Sequence, residues 1–228
     1  MAATEPVLCV TGAERTLAAV ADRLAARDPA DLHEIRLDLL DGLLDDVRDL
    51  VARHGSHLVV ACRSVADGGG FHGAEDERRA LLARAAAAGA RWVDVEIEAL
   101  ERGARVAPAG RTLASWHGDV RDAGFEGAAA RLRAADAGAV KAAVTVRDAA
   151  DLVRLRSWRA GLSGVAAVVG MGPAGAWTRL RPADFGSAWT YVAAGPGLRT
   201  APGQPTRSQA LAGRVRESPG LAPVVLVG

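Results

Sequence analysis

Eight short apolar runs recur along this chain with helix-forming stretches between them, and that alternation restricts the fold more than any other feature. The runs cover residues 7–12, 32–40, 57–63, 92–97, 111–117, 139–146, 165–171 and 188–194. Between most of them lie segments rich in Ala, Leu and Arg, with apolar positions three and four apart: 14–27, 75–88, 126–135 and 148–160, a helical period. Apolar runs that do not alternate with polar residues imply strands buried on both faces, as in a parallel sheet. Eight such units in 228 residues predict an α/β fold of one compact (β/α)8 TIM barrel, with a doubly wound open sheet as the other architecture that fits. Between 97 and 111 only about a dozen residues are available, Gly103, Pro108 and Gly110 among them, so the segment between the fourth and fifth strands is shortened and any helix there is brief. Half the residues are hydrophobic, enough for one substantial core, and residues 1–228 read as a single domain. The apolar tail 221–228 has no place in this scheme; it would cap the barrel or pack on a partner.

Composition excludes several classes of function. The net charge is +1 and arginines are scattered among acids, which gives no basic face for a nucleic acid or an anionic membrane. No segment approaches the ~18–20 continuous apolar residues of a membrane span, and the opening Met1-Ala-Ala-Thr-Glu-Pro has no basic stretch followed by an apolar one; a soluble, cytoplasmic protein is expected. Cys9 and Cys62 both sit in apolar runs and read as reduced core residues rather than a disulfide or a metal site.

In a parallel barrel the chemistry collects at the C-terminal ends of the strands. The polar residues there are Glu34, Arg36 and Asp38, then Arg63 and Asp67, Asp94 and Glu96, His117, Lys141, Met171 and Arg179, and finally Thr200 and Gln204 in the last loop. Lys141 stands apart as the only lysine, in the run Ala139-Val140-Lys141-Ala142-Ala143-Val144. An ammonium buried in an apolar strand is costly unless paired, so such a lysine tends to lose its proton, and the neutral amine can attack a carbonyl. The plainer account is a lysine left over by an arginine-rich composition and tied up in a salt bridge.

In order and context these strand ends resemble the type I 3-dehydroquinate dehydratase family, the Schiff-base dehydroquinases of the shikimate pathway. Glu34-Ile-Arg36-Leu-Asp38 looks like its second-strand Glu-x-Arg-x-Asp, and Arg63 with Asp67-Gly68-Gly69 looks like its third-strand Arg and Glu-Gly-Gly loop. Asp94-Val-Glu96, Ser115-Trp-His117 and Val140-Lys141-Ala142-Ala143 are similar to the acidic pair, the catalytic histidine and the lysine strand. Met171-Gly172, Thr178-Arg179, Phe185-Gly186-Ser187 and Thr200-Ala-Pro-Gly-Gln204 complete the match over nearly the whole chain.

The resemblance implies a lyase that dehydrates 3-dehydroquinate to 3-dehydroshikimate. Lys141 would form the imine, His117 would act as general base and then general acid, and Asp67 would orient His117. Arg179 would clamp the substrate carboxylate, Gln204 and Thr200 would close over it beside Met171, and Glu34, Arg36 and Arg63 would hold ring hydroxyls. It implies neither a metal nor an organic cofactor, since the iminium is itself the electron sink; barrels of this family are often dimers, which leaves a homodimer open. The structural alternatives are an Arg179–Asp184 pair, a Glu34–Arg36 salt bridge, a strand-capping His117, and a packing role for Asp94 and Glu96.

The chain departs from the pattern in four places. Asp67 is one methylene shorter than the family's glutamate, Thr178 and Thr200 replace serines, and Gly118-Asp119 stands where Asp-Phe is usual, Asp119 being the candidate substitute carboxylate. The shortened segment between strands four and five bears on subunit pairing. Two other functions remain in view: a class I aldolase-type enzyme, which shares the lysine without the Met171, Arg179, Thr200 and Gln204 set, and a non-catalytic barrel that senses quinate-type ligands. Biosynthetic and catabolic roles use the same reaction.

Overall fold

The computed structural model describes residues 7–29, 31–41 and 47–213; the apolar tail 221–228 lies outside them. Eight strands run Val7–Thr11 (β1), Leu32–Arg36 (β2), Leu58–Ala61 (β3), Trp92–Glu96 (β4), Thr112–Asp119 (β5), Ala139–Thr145 (β6), Ala166–Met171 (β7) and Trp189–Ala193 (β8). All the paired strands are parallel, in the order β7-β6-β5-β4-β3-β2-β1-β8. The two ends of this sheet meet. Ala188 N donates to Ala166 O at 2.8 Å, and the Ser187 hydroxyl accepts from Val168 N at 2.8 Å and donates to Val168 O at 3.1 Å. A side chain thus replaces ladder bonds at the β7/β8 joint, and the result is a nearly closed (β/α)8 barrel, not an open sheet.

The helices are α1 (Leu17–Ala25), α2 (Val47–His54), α3 (Glu75–Ala87), α4 (Ile97–Glu101), α5 (Phe125–Ala134), α6 (Ala149–Arg159), α7 (Ala176–Leu180) and α8 (Arg207–Ala212). The short α4 fits the dozen residues available to it. The helix expected over 14–27 begins only at Leu17, because the Thr16 hydroxyl caps its first turn by accepting from Ala19 N and Glu14 turns inward to pair with Arg23 at 2.6 Å. Asp148 similarly caps α6 through Asp151 N. Helices α2, α7 and α8 have no counterpart in the periodicity reading.

Outward-facing strand residues pack under the helices in two main clusters, one around Ile35, Val60 and Val93 with α1 to α3, the other around Phe125, Trp158 and Val168 with α5 and α6. The barrel interior has its own cluster, which includes Cys9, Val59, Leu113, Ala139, Ala167 and Tyr191. Near the N-terminal ends of the strands Trp92 and Trp189 stack with centroids 6.2 Å apart, and these large rings fill the floor. Above them the inward positions turn polar. Ser115 of β5 is in register with both Glu96 of β4 and Lys141 of β6, which sets the height of the lysine beneath the barrel mouth.

Candidate active site

A cavity of about 520 Å³ opens at the C-terminal ends of the strands, and every residue from which the sequence predicts chemistry or substrate contact lines it: Glu34, Arg36, Arg63, Asp67, His117, Lys141, Met171, Arg179, Thr200 and Gln204. A second cleft of about 790 Å³ lies beside α1. Its charges are largely spent on one another, Arg23 on Glu14 and Arg207 on Asp28 and Asp31, so the smaller cavity is the better candidate for the chemistry.

Lys141 is buried in β6 with its Nζ 2.7 Å from Asp94 Oδ2 and 3.6 Å from Glu34 Oε1. The strand is apolar, but the amine faces two carboxylates, so Asp94 is a direct partner of the lysine rather than a packing residue. Burial pushes the Asp94 carboxyl up, yet the nearby charges of Lys141 and Arg63 outweigh it and hold the group below the usual carboxylate range. Thr11 at the end of β1 donates to Glu34 Oε2 at 2.8 Å and fixes the second carboxylate.

His117 stands on β5 two residues beyond Ser115, one inward step above Lys141. Its Nε2 is buried and unpartnered. Burial, followed by the Arg63 and Lys141 charges, drives its pKa well below the ordinary histidine value, Asp94 opposing without prevailing. The ring is therefore neutral at pH 7, with a nitrogen free to take a proton.

Asp67 reaches the cavity wall but is exposed, and its Oδ2 accepts from Ser64 Oγ at 2.6 Å. His117 Nε2 receives nothing from it, so the predicted orienting contact is not formed. Asp119, the candidate substitute for the carboxylate missing at Gly118, is taken up by an ion pair with Arg147. A Cβ at Gly118 would sit 2.4 Å from the Trp116 ring; the glycine makes room for that indole, and a carboxylate residue does not fit beside it.

Three arginines line the mouth with different duties. Arg36 is bidentate to Asp38 at 2.9 and 2.6 Å, so its salt bridge is with Asp38 and not with Glu34. Asp38 also accepts from Gly70 N at 3.0 Å and so ties the Gly-Gly loop to β2. Arg63 lies 3.8 Å from both Asp94 and Glu96, its buried Nε facing Glu96 without a hydrogen bond. Arg179 is buried and donates only to carbonyls, Gly170 O at 3.2 Å and Tyr191 O at 3.1 Å. Asp184 pairs with Arg181 instead. Burial lowers the Arg179 pKa to about 10, against the pull of Tyr191 and Glu34, which leaves the guanidinium cationic at neutral pH and without a carboxylate. A buried cation in that condition is a site for an anion.

The last loop is already folded over this cation. Gln204 Oε1 accepts from Thr200 N at 2.9 Å while its buried Nε2 has no partner. Gly203 takes φ +74°, and a Cβ there would lie 2.3 Å from Gly172 O, so only glycine lets the loop close onto the turn after β7.

The matching family model is Type I 3-dehydroquinase, over residues 8–212. The chain belongs to the type I 3-dehydroquinase family. It is 31% identical over 216 residues to the 3-dehydroquinate dehydratase of Desulfotalea psychrophila, spanning 89% of this chain and 94% of that one. With the 3-dehydroquinate dehydratase of Methanothermobacter thermautotrophicus it shares 36% over 207 residues, covering 86% and 90%. The fold agrees with that of the solved Geobacillus kaustophilus dehydratase, with a TM-score of 0.74 at 24% identity, over 92% of this chain and 90% of the other.

For a type I dehydroquinase several site residues went unread in the sequence. Thr11, at a strand end like the others, was open to the same rule. Tyr191 is an inward position of β8 and Arg199, in the closing loop, also lines the cavity. Arg78 comes from α3 yet donates to Glu96 at 2.8 Å and to Cys62 O; its place four and seven residues before Leu82 and Ala85, on the buried stripe of that helix, is the signal that could have found it. Among the described residues no group of three or more His, Cys, Asp or Glu could hold a metal ion, and no helix is long and apolar enough to cross a membrane.

Proposed function

We propose that this chain dehydrates 3-dehydroquinate to 3-dehydroshikimate through an imine on Lys141, with His117 moving the protons. The observation that carries this reading is the pairing, in one cavity, of the sole lysine amine with a neutral histidine whose buried Nε2 is unpartnered. The substrate carboxylate would seat on Arg179, which puts the ketone within reach of Nζ. Asp94, at hydrogen-bond distance, would orient the amine for attack once the ammonium has released its proton through the open cavity. Addition to the carbonyl and loss of one water then give the iminium, which draws electrons from the neighbouring C–H bond.

His117 Nε2 would remove that proton, and the enamine so formed would expel the hydroxyl one carbon further on. The same histidine, now cationic, returns the proton to the departing oxygen, so a second water leaves. Hydrolysis of the conjugated imine consumes one water and frees Lys141 and the product. The balance is one water lost per turnover.

The test is intact mass spectrometry after mixing the protein with 3-dehydroquinate and borohydride. A reduced adduct mapped to Lys141 at the mass of substrate less two waters plus two hydrogens, one water for the imine and one for the elimination, supports both steps. An adduct of intact substrate places the block at elimination. The exposed, Ser64-bound Asp67 favours a second reading, a barrel that binds quinate-type ligands without turnover; tight binding with no adduct would select it and overturn the imine.

A further inference from the structure

We infer that Tyr191 is a positioning residue for the reacting amine, its ring face holding the cation on Lys141 both as the ammonium and as the iminium. This rests on the imine reading above and adds a group to which neither the motifs nor the charges point. Lys141 Nζ lies 4.7 Å from the centroid of the Tyr191 ring. Both side chains are buried and both line the cavity. Tyr191 sits mid-strand in β8, its own carbonyl held by Arg179, so the ring is anchored at the anion site itself. The negative face of an aromatic ring attracts a cation within about 6 Å, and more strongly where water is excluded.

The carboxylates cannot do this work alone. Asp94 holds Nζ by one hydrogen bond at 2.7 Å, and Glu34 only by charge at 3.6 Å; an ammonium has three N–H groups and a protonated imine one. Forming the C=N bond therefore removes two donors, and the single N–H left must keep the direction of Asp94 if that hydrogen bond is to survive. The ring contact needs no N–H and carries across the step unchanged. It also favours the cationic iminium over the neutral carbinolamine that precedes it. The Tyr191 hydroxyl, buried without a partner, plays no part in this contact.

The test measures the fraction of protein trapped by borohydride at one subsaturating 3-dehydroquinate concentration, in the unmodified protein, Tyr191→Phe and Tyr191→Met. A parallel series places phenylalanines with one, two and three ring fluorines at position 191. Tyr191→Phe should trap like the parent, because the face is kept. Tyr191→Met fills the space without a π face and should trap roughly 2- to 30-fold less. Fluorines drain the ring's negative face at nearly constant shape, so trapping should fall with each one. A flat fluorine series, or Tyr191→Met equal to Tyr191→Phe, overturns the inference. If Tyr191→Met fails to fold, the fluorine series alone decides. Absence of any adduct in the unmodified protein is a separate failure: it overturns the imine reading, and this inference with it.

Discussion

Asp94 Oδ2 accepts a hydrogen bond from Lys141 Nζ at 2.7 Å, a contact made from β4 to β6 past the strand that carries His117. Two buried, oppositely charged groups at that distance depend on each other, so removing either leaves an ion whose burial is no longer compensated.

Lys141→Ala should therefore have two signatures. Turnover and borohydride trapping fall to background. Stability at pH 7 also drops, by about 3–5 kcal/mol for a broken buried pair. In the parent, the lowered Asp94 pKa contributes stability above the unfolded carboxyl value, lost as the pH falls through the lower folded one. Without Lys141 that contribution shrinks, so the stability gap between variant and parent should narrow on acidification toward pH 3. Urea unfolding at several pH values checks this; a gap that is constant with pH would contradict it.

His117→Ala should slow turnover by roughly 10²–10⁴-fold while an imine of intact substrate still accumulates. Because the parent ring is held neutral well below its ordinary pKa, the acid limb of kcat/KM should lie below pH 6.5. A limb centred on 6.5 or above would mean that another group carries the proton.

Arg179→Lys keeps a positive charge but loses the planar fork, and with it two-point contact to a carboxylate. Hydrogen bonds to charged groups are worth about 1.5–3 kcal/mol, so kcat/KM should fall roughly 10- to 100-fold, chiefly through KM. Steady-state kinetics settle it, and an unchanged KM would remove Arg179 from the substrate site.

Asp67→Glu should match or exceed the parent turnover, since the added methylene lets the carboxylate reach past Ser64 toward His117. A large fall in kcat would mean that the loop has been rebuilt around aspartate and its Ser64 hydrogen bond.

His33, outside the site, predicts the acid stability of the fold. Burial, then the charges of Arg23, Arg27 and Arg207 and the nearby His57, lower its pKa to about 3, and its Nδ1 lies 3.1 Å from Arg23 Nη1. The unfolded chain binds this proton from about pH 6.5 downward whereas the folded one does not. Stability should thus decline as pH falls from 6.5 toward 3, at up to about 1.4 kcal/mol per pH unit from this residue. His33→Gln should flatten that slope in chemical unfolding; an unaltered slope would count against it.

The strands were legible because burial on both faces writes an unbroken apolar run, and seven of the eight match those runs to within two residues at each end; β2 stops at Arg36, four short of its run, because Leu37–Leu39 turn into a 3-10 helix. The barrel ends were legible for a related reason, since a polar residue at the end of such a run has little to do except face the mouth. What escaped were the choices of partner that individual side chains make. Arg36 prefers Asp38 to Glu34, and Asp67 prefers Ser64 to His117, through local geometry that residue spacing does not encode. Tyr191 escaped because an aromatic in an apolar run looks like packing until its ring is found under a cation. Arg78 escaped although it stands on the buried stripe of α3 with Leu82, Ala85 and Ala86, because the strand-end rule passes over polar residues on helices.

The joint between β7 and β8 bears on more than closure. The Ser187 hydroxyl there does what backbone ladders do elsewhere around the barrel, and Arg179 adds a clasp of its own, with one hand on Gly170 and the other on Tyr191. The anion site proposed at Arg179 is thus built astride the least stitched line of the wall. Prising that line apart would scatter the carbonyls that aim Arg179 before it disturbed the lysine, and an anion bridging the guanidinium would act as a rivet. Amide exchange at Val168 and Gly170, slowed by a bound carboxylate and quick without one, is how such a fastening would register in solution.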